Sequence, residues 1–346
     1  MGKKAARRAA AEAAEASALL DKHVLYAQAV QSPKGDIAYL LRFHAQYLPG
    51  RPPPLHLRED FSGTSELCAA WCTSDARRTA VGVDLDKEEL RYAADCVLAN
   101  AGSAAGRTLL VCANVLDDPA HATPFNADAW TDDSCADWRS LWKRPADIVA
   151  ALNSSLCLLH TREEAERYCA SARANTASPG LFVLDMNGGH SMEKALELKT
   201  RLRGFDYIWS QDGFDPLTRT IRCHISFRIR GAAGQPQQTL RHAYSYSWRL
   251  WTLPEARDML LGAGFKSVHV WMRRMREDGE ESSDSESGSD GSDNEQSSDG
   301  SDSPGSGHRE GKSRDEYVEV TAQGMTPQQR HRFAKGWQAY IVAVAS

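Results

Sequence analysis

Gly63 lies in a run of small residues, Phe61-Ser62-Gly63-Thr64-Ser65, and an acid, Asp84, follows at the end of the next apolar run. A glycine turn, then an acid about twenty positions on at the close of a second strand, is how a doubly wound sheet holds a ribose: the turn brings backbone close and the carboxylate accepts from the hydroxyls. The turn has one glycine where a dinucleotide fingerprint has three, which argues against a pyrophosphate ligand. Two more polar residues close apolar runs of their own, Asn114 in Cys112-Ala113-Asn114-Val115 and Asn153 in Leu152-Asn153-Ser154-Ser155. Ligands of open parallel sheets bind at the carboxyl ends of strands, so these four residues mark one candidate site.

The elements that must position them alternate along the chain. Strands are predicted from Leu55 to Glu59, Thr79 to Val83, Arg107 to Val111, Asp147 to Leu152 and Leu181 to Asp185. Helical spacing fills the intervals at Glu66 to Trp71, at Lys87 to Gly102, and after Thr161-Arg162-Glu163-Glu164, which reads as a capping box. Five strand-and-helix alternations imply a parallel sheet with right-handed crossovers, a doubly wound α/β domain. Residues 118–145 read as an irregular insertion. Ahead of the first strand, residues 19–48 form two amphipathic pieces broken at Ser32-Pro33.

Beyond Asp185 the period changes from helical spacing to strict alternation. Ile208 to Gln211, Arg219 to Ile229 and Leu240 to Leu250 read as strands of an antiparallel flap spanning about 205–251, with a turn at Asp212-Gly213-Phe214-Asp215-Pro216. The alternation puts Tyr244, Tyr246 and Trp248 on one face and Arg249 with Trp251 on the other. Thr252-Leu253-Pro254-Glu255 is a second capping box, and Ser267 to Met272 and Trp337 to Val344 supply the last two strands. Aromatic and arginine side chains so concentrated suit a planar or anionic ligand.

The stretches REDFSGT and VGVDLD resemble the class I S-adenosylmethionine-dependent methyltransferases, in a bacterial-type branch whose substrate the motifs do not encode. Glu59 stands at the acidic place of that family's first motif and Gly63 at its central glycine, with Phe61 and Ser65 where the outer glycines usually are. The resemblance implies a Rossmann-like, seven-stranded, mostly parallel sheet with an antiparallel last strand, and S-adenosyl-L-methionine as cofactor. It implies a cofactor site running from Glu59, Phe61, Gly63 and Thr64 through Asp84 and Leu85 to Asn114 and Val115, where Asn114 would read the adenine amino group through its side-chain oxygen. Asn153 would flank the transferred methyl, and Tyr26 and Gln28 are candidates for a helical lid.

A sulfonium methyl is already activated, so alignment and exclusion of water are the main requirements and few catalytic side chains are obligatory. An oxygen acceptor needs a base, for which His224 and His190 are candidates; Tyr246 and Arg249 are candidates for contact with the acceptor. A small-molecule nitrogen or oxygen acceptor is the first expectation. An RNA or protein substrate is the second, with nucleic acid disfavoured because no RNA-binding module is present, and a non-catalytic cofactor-binding scaffold is the third.

Composition sets the frame. The 346 residues are 42% hydrophobic and 25% charged, ordinary for a globular chain. Eight cysteines show no zinc-ligand spacing, so no metal is expected, and they read as reduced core residues of a cytoplasmic protein, with the nucleus as the alternative. No apolar run approaches the roughly 18 residues of a membrane span. Residues 1–18 are an alanine-rich basic tail, and the methyltransferase-like domain covers 19–276 and 315–346. Between its two parts, residues 277–314 are an acidic, serine-rich insertion expected to be disordered and open to an acidophilic kinase. Eleven acids and no Lys or Arg lie between Glu277 and Asp302, so without them the chain's net −5 becomes +6.

Overall fold

The computed structural model describes residues 21–117, 122–126, 138–230, 237–274, 317–321 and 325–346. The basic tail and the acidic insertion with its proposed kinase sites therefore lie outside the described residues. At the centre of the fold is β1 (His56–Asp60), hydrogen-bonded in parallel to β2 (Thr79–Asp84) on one side and to β5 (Ala146–Ala151) on the other. Outward from β2 comes β3 (Thr108–Cys112), also parallel, and outward from β5 comes β6 (Thr176–Gly188). Then β13 (Trp337–Ala345) runs antiparallel to both β6 and β11 (Ser267–Arg274). These are the seven strands expected, with the final one reversed. Two short antiparallel edge strands, β4 (Thr123–Pro124) and β12 (Val318–Val320), extend the sheet to nine.

Both faces of this sheet are covered. One receives α2 (Pro33–Tyr47) and α3 (Glu66–Ser74), whose Leu40, Phe43, Leu67 and Trp71 are buried against Leu57, Ile148 and Val183. The other receives α5 (Trp138–Lys143), α6 (Arg162–Asn175) and α7 (Leu253–Gly262), which pack Trp142, Tyr168 and Leu260 over Val149 and Phe182. The capping boxes read at Thr161 and Thr252 are both formed. Helix α4 (Lys87–Tyr92) begins where Asp86 accepts from the amide of Glu88. Helix α8 (Pro327–Lys335) precedes the last strand.

The flap is a sheet of its own and has four strands, one more than the alternation indicated. The order is β10 (Gln238–Arg249), β9 (Thr220–Ile229), β8 (Phe205–Gln211), β7 (Leu196–Arg201), all antiparallel. The unexpected strand, β7, is an edge: Leu196 and Leu198 are its only apolar residues, too few to stand out as a pattern. Strand β6 likewise starts at Thr176 rather than Leu181, because Ala146 pairs with Thr176 before the register shifts to Ile148 with Leu181. Of the insertion at 118–145, the described parts are β4 with its flanks and the segment 138–145 that holds the whole of α5, so this region is not wholly irregular.

Helix α1 (Lys22–Ala29) belongs to the flap rather than to the main sheet. Its Leu25, fully buried, joins Phe205, Ile225, Phe227 and Ile229 in one apolar cluster. Truncating that side chain removes the helix's one fully buried anchor. Leu25→Ala should therefore lower unfolding free energy by about 2–5 kcal/mol, read by urea titration, as large-to-small changes in a closed core do.

Candidate functional site

The carboxyl ends of β3, β2, β1, β5 and β6 open into one cavity of about 1180 Å³, roofed by α1 and the flap. The turn after β1 is its most constrained part. Phe61, Gly63 and Ser65 have φ of 57°, 49° and 56°, so the places where a three-glycine turn would have its outer glycines hold left-handed backbone without glycine. Each such non-glycine residue costs on the order of 1–2 kcal/mol, which the surroundings must offset. Ser62 donates its amide to Val83 O at 2.9 Å, and the Ser65 and Ser62 hydroxyls meet at 3.0 Å. The turn presses so closely on β2 that a Cβ at Gly82 would come within 2.6 Å of Ser65 Oγ.

Asp84 ties that turn to the next. Its Oδ2 accepts from Gly63 N at 2.7 Å and its Oδ1 from Asp86 N at 2.8 Å, while burial raises its pKa above the ordinary carboxylate value. A Cβ on Gly63 would meet nothing within 4 Å, so the backbone there is open to a ligand. Asn114 lines the cavity with its Oδ1 accepting from Leu116 N at 3.0 Å, which leaves one lone pair of that oxygen and the amino group for a ligand. Phe61, Thr64, Val115 and Asn153 line it too, and Leu85, 65% exposed, stands at its rim. Asn153 and Ser154 have φ of 60° and 59°, a second left-handed turn beside the first.

From the roof, Tyr26 faces the flap. It is hydrogen-bonded to Tyr246 and tilted against Tyr244 at 4.8 Å between centroids, and burial pushes its pKa up to about 12. Tyr244, Tyr246 and Trp248 form a stacked ladder along the same wall, the face the alternation assigned to them. Gln28 is exposed and outside the cavity; the lid glutamine is Gln31, whose Nε2 reaches Thr64 Oγ1 at 3.5 Å.

Four expected residues are elsewhere. Glu59 lies under the sheet face, fully enclosed, where its Oε2 accepts from Cys68 Sγ at 3.2 Å; burial pushes its pKa up to about 8. Strand alternation sends it towards α3, whereas the cavity begins two residues later. His224 is on the outer face of β9, stacked on His242 at 4.1 Å and bonded to Ser245 Oγ. Arg249 is spent on structure: its guanidinium gives Nη1–H to His160 O at 2.8 Å and lies 3.7 Å from the Trp251 ring. His190, too, is exposed and outside the cavity.

Four cavity acids escaped the sequence reading, Asp36, Asp86, Glu89 and Asp185, and two of them lie away from Asp84. Asp185 lies on β6 just past the last residue paired with β5, accepts from Ser154 N at 2.6 Å, and has its pKa raised to about 7, chiefly by burial. Its place after the apolar run Leu181–Leu184 is the same signal that marked Asp84. Asp36, in the first turn of α2, accepts from Tyr340 OH at 2.6 Å and carried no such signal. Among the described residues no group of three His, Cys, Asp or Glu side chains is placed to hold a metal, and no helix is long and apolar enough to cross a membrane.

No family model matches the chain, and no curated protein matches it in sequence. Solved structures do match its fold. A S-adenosylmethionine-dependent methyltransferase from Clostridium acetobutylicum superposes with a TM-score of 0.53 at 11% identity, covering 93% of this chain and 97% of that one. An amino pentose methyltransferase of calicheamicin biosynthesis from Micromonospora echinaspora, bound to S-adenosylmethionine, gives 0.50 at 14% identity over 72% and 90%. The chain has the Rossmann-like fold of these methyltransferases.

The buried state of Glu59 has a consequence for pH. With a native pKa raised to about 8 from 4.5, the folded chain holds a proton that the unfolded chain has lost across that window. Stability therefore falls as pH rises from about 5 to about 8, by at most about 1.4 kcal/mol per pH unit. Glu59→Gln keeps a neutral acceptor for Cys68, so it should match the parent near pH 4.5 and exceed it in denaturant midpoint near pH 8. Equal midpoints at both ends would show that Glu59 is ionised in the fold.

Proposed function

We propose that the chain is an S-adenosylmethionine-dependent methyltransferase acting on a nitrogen or oxygen of a small molecule. The observation that carries this reading is the alignment of Gly63, Asp84, Asn114 and Asn153 at the carboxyl ends of four adjacent parallel strands, all facing one roofed cavity. That two methyltransferases of this cofactor share the fold, one named for an amino pentose, supports it.

The residues present suit the cofactor. Asp84, held rigid by two backbone amides, offers its carboxylate oxygens to ribose hydroxyls; the open backbone at Gly63 admits a close approach without phosphate. Asn114 supplies amide hydrogen-bonding capacity for the adenine edge, with Phe61 and Val115 as apolar flanks. When bound, the cofactor supplies an electrophilic methyl on a sulfonium. The chain's own part is to align the acceptor and exclude water, which α1 and the aromatic wall of the flap do from above.

The base that an oxygen acceptor would require is not His224, whose ring faces away from the cavity. Asp185 is a titratable group inside it, with a pKa pushed up to about 7 chiefly by burial, suited to accept a proton near neutral pH. A neutral amine needs no base for the transfer itself.

The reading is tested by incubating purified protein with a labelled methyl donor and pools of small molecules, peptides and RNA. Label should pass to the small-molecule pool. Independently of turnover, Asp84→Asn should weaken binding of S-adenosylhomocysteine about tenfold to a hundredfold in calorimetry, since hydrogen bonds to a charged group contribute about 1.5–3 kcal/mol. Unchanged affinity in a folded variant would remove Asp84 from the cofactor site.

A further inference from the structure

The charge of the cavity is opposite to what the flap's arginines suggested. Arg219 gives its Nε–H to Leu250 O and pairs with Glu193, Arg249 gives to His160 O, and neither they nor Arg222 line the cavity. Its charged lining among the described residues is Asp36, Asp84, Asp86, Glu89 and Asp185 against Lys22 and Arg273. Both cations are engaged. Lys22 Nζ lies 3.6 Å from Glu89 and 4.9 Å from the Tyr244 ring centroid, and Arg273 donates to Gln338 Oε1 at 2.7 Å while lying over Tyr317.

The acids divide into two groups along the sheet. Asp84, Asp86 and Glu89 stand at the β2 end, where the ribose is placed. Asp185 is on β6 where its pairing with β5 ends, three strand spacings from β2, which is about 14 Å. Asp36 is on its side: it bonds Tyr340 of β13, the neighbour of β6, and Tyr340 pairs in register with Asp185 itself. The same cavity is lined from the flap by Trp209, Tyr246 and Trp248, whose rings pack on one another. Three atoms in the cavity lining, Gln31 Oε1, Ser191 Oγ and Tyr244 OH, are buried without a hydrogen-bond partner, as expected of a wall completed by a polar ligand.

From this juxtaposition of Asp185 and Asp36 with an aromatic wall we infer that the acceptor is a cationic small molecule, bearing an ammonium group that the two carboxylates hold while the rings cover it. The inference rests on the methyltransferase reading and names the class of its acceptor. An ammonium between carboxylates and ring faces gains charge-assisted hydrogen bonds and cation–π attraction, both strengthened where water is excluded. An anion in the same place would meet two carboxylates with the one nearby cation, Arg273, already engaged. Burial and, less strongly, the field of Asp36 raise the pKa of Asp185, and an arriving cation offsets both by favouring the carboxylate.

The test uses the full chain with the cofactor side filled by S-adenosylhomocysteine. Probes are glucosamine, phenethylamine and tetramethylammonium, set against glucuronate and phenylpropionate, read by tryptophan fluorescence and calorimetry. At least one cation should bind and change the emission of the wall's tryptophans, and neither anion should. Asp185→Asn and Asp36→Asn, each close to the parent in shape, should each weaken that cation tenfold or more and leave S-adenosylhomocysteine within twofold of its parent affinity. Selective binding of an anion, absence of binding by all three cations, or unchanged cation affinity in both variants would overturn the inference. Loss of S-adenosylhomocysteine affinity in Asp185→Asn would assign that carboxylate to the cofactor and overturn it as well. Failure of the methyltransferase reading has a separate signature: the parent binds no S-adenosylhomocysteine, while the cation-to-anion preference is still read from the protein alone.

Discussion

The structure depends on a central strand that is polar and buried. Every residue of β1 is enclosed, yet four of the five are His56, Arg58, Glu59 and Asp60. Polar groups in such a place are tolerable only when each finds a partner, because an unpaired one costs several kcal/mol in a low-dielectric interior. His56 meets Thr79 Oγ1 at 3.0 Å; Arg58 donates to Asp60 at 2.7 Å, to Asn175 at the end of α6, and covers Trp142 of α5. Tyr168 of α6 donates to Asp60, and Cys68 of α3 to Glu59. Asp147 accepts from the amides of Leu55 and His56, fixing where the strand begins. These partners come from both covering layers. The strand therefore sets the positions of α3 and α6 as much as they enclose it, and the turn that leaves β1 inherits that rigidity.

Such rigidity is what left-handed backbone at Phe61 and Ser65, and again at Asn153 and Ser154, requires. Strained residues persist where their surroundings over-determine them. Both turns follow central strands, and both open on the cavity, so the conformational strain is gathered at the one edge of the sheet where a ligand would lie. A flexible turn would have to be ordered on binding; this one has its amide at Gly63 already committed to Asp84.

Much of this was legible in the sequence because it is local. Alternation gave the core strands, the Thr161 and Thr252 capping boxes gave two helix starts, and a polar residue after an apolar run gave Asp84, Asn114 and Asn153. What failed depended on partners distant in sequence. Alternation separated the two faces of β10 correctly but could not say that Arg249 would be drawn to His160, 89 residues earlier. It could not say that His224 would face outwards, since that depends on which side of the flap receives Leu25. Glu59 was expected at the ligand because it takes the acidic place of a family motif; here it is buried beneath the sheet and accepts from Cys68. Asp36 was invisible for the converse reason. An acid in the first turn of a helix is ordinary, and only Tyr340, 304 residues later, draws it into a cavity.

Helix α1 has a place in two assemblies at once. Leu25 anchors it in the flap's core, while Lys22 and His23 reach Glu89 on the main domain at 3.6 and 3.3 Å, and Tyr26 and Gln31 hang over the strand ends. Its hold on the flap is an apolar cluster, while its hold on the main domain is two contacts to Glu89 and one stack of His23 on Tyr92 at 4.1 Å, so the second is the smaller joint. Motion would thus part the helix from the main domain and carry the flap with it, giving both ends of the trough a single door. On the proposed reading, two ligands behind one door would have to be present together before it shuts and would leave only after it reopens, the kinetic order of a ternary complex.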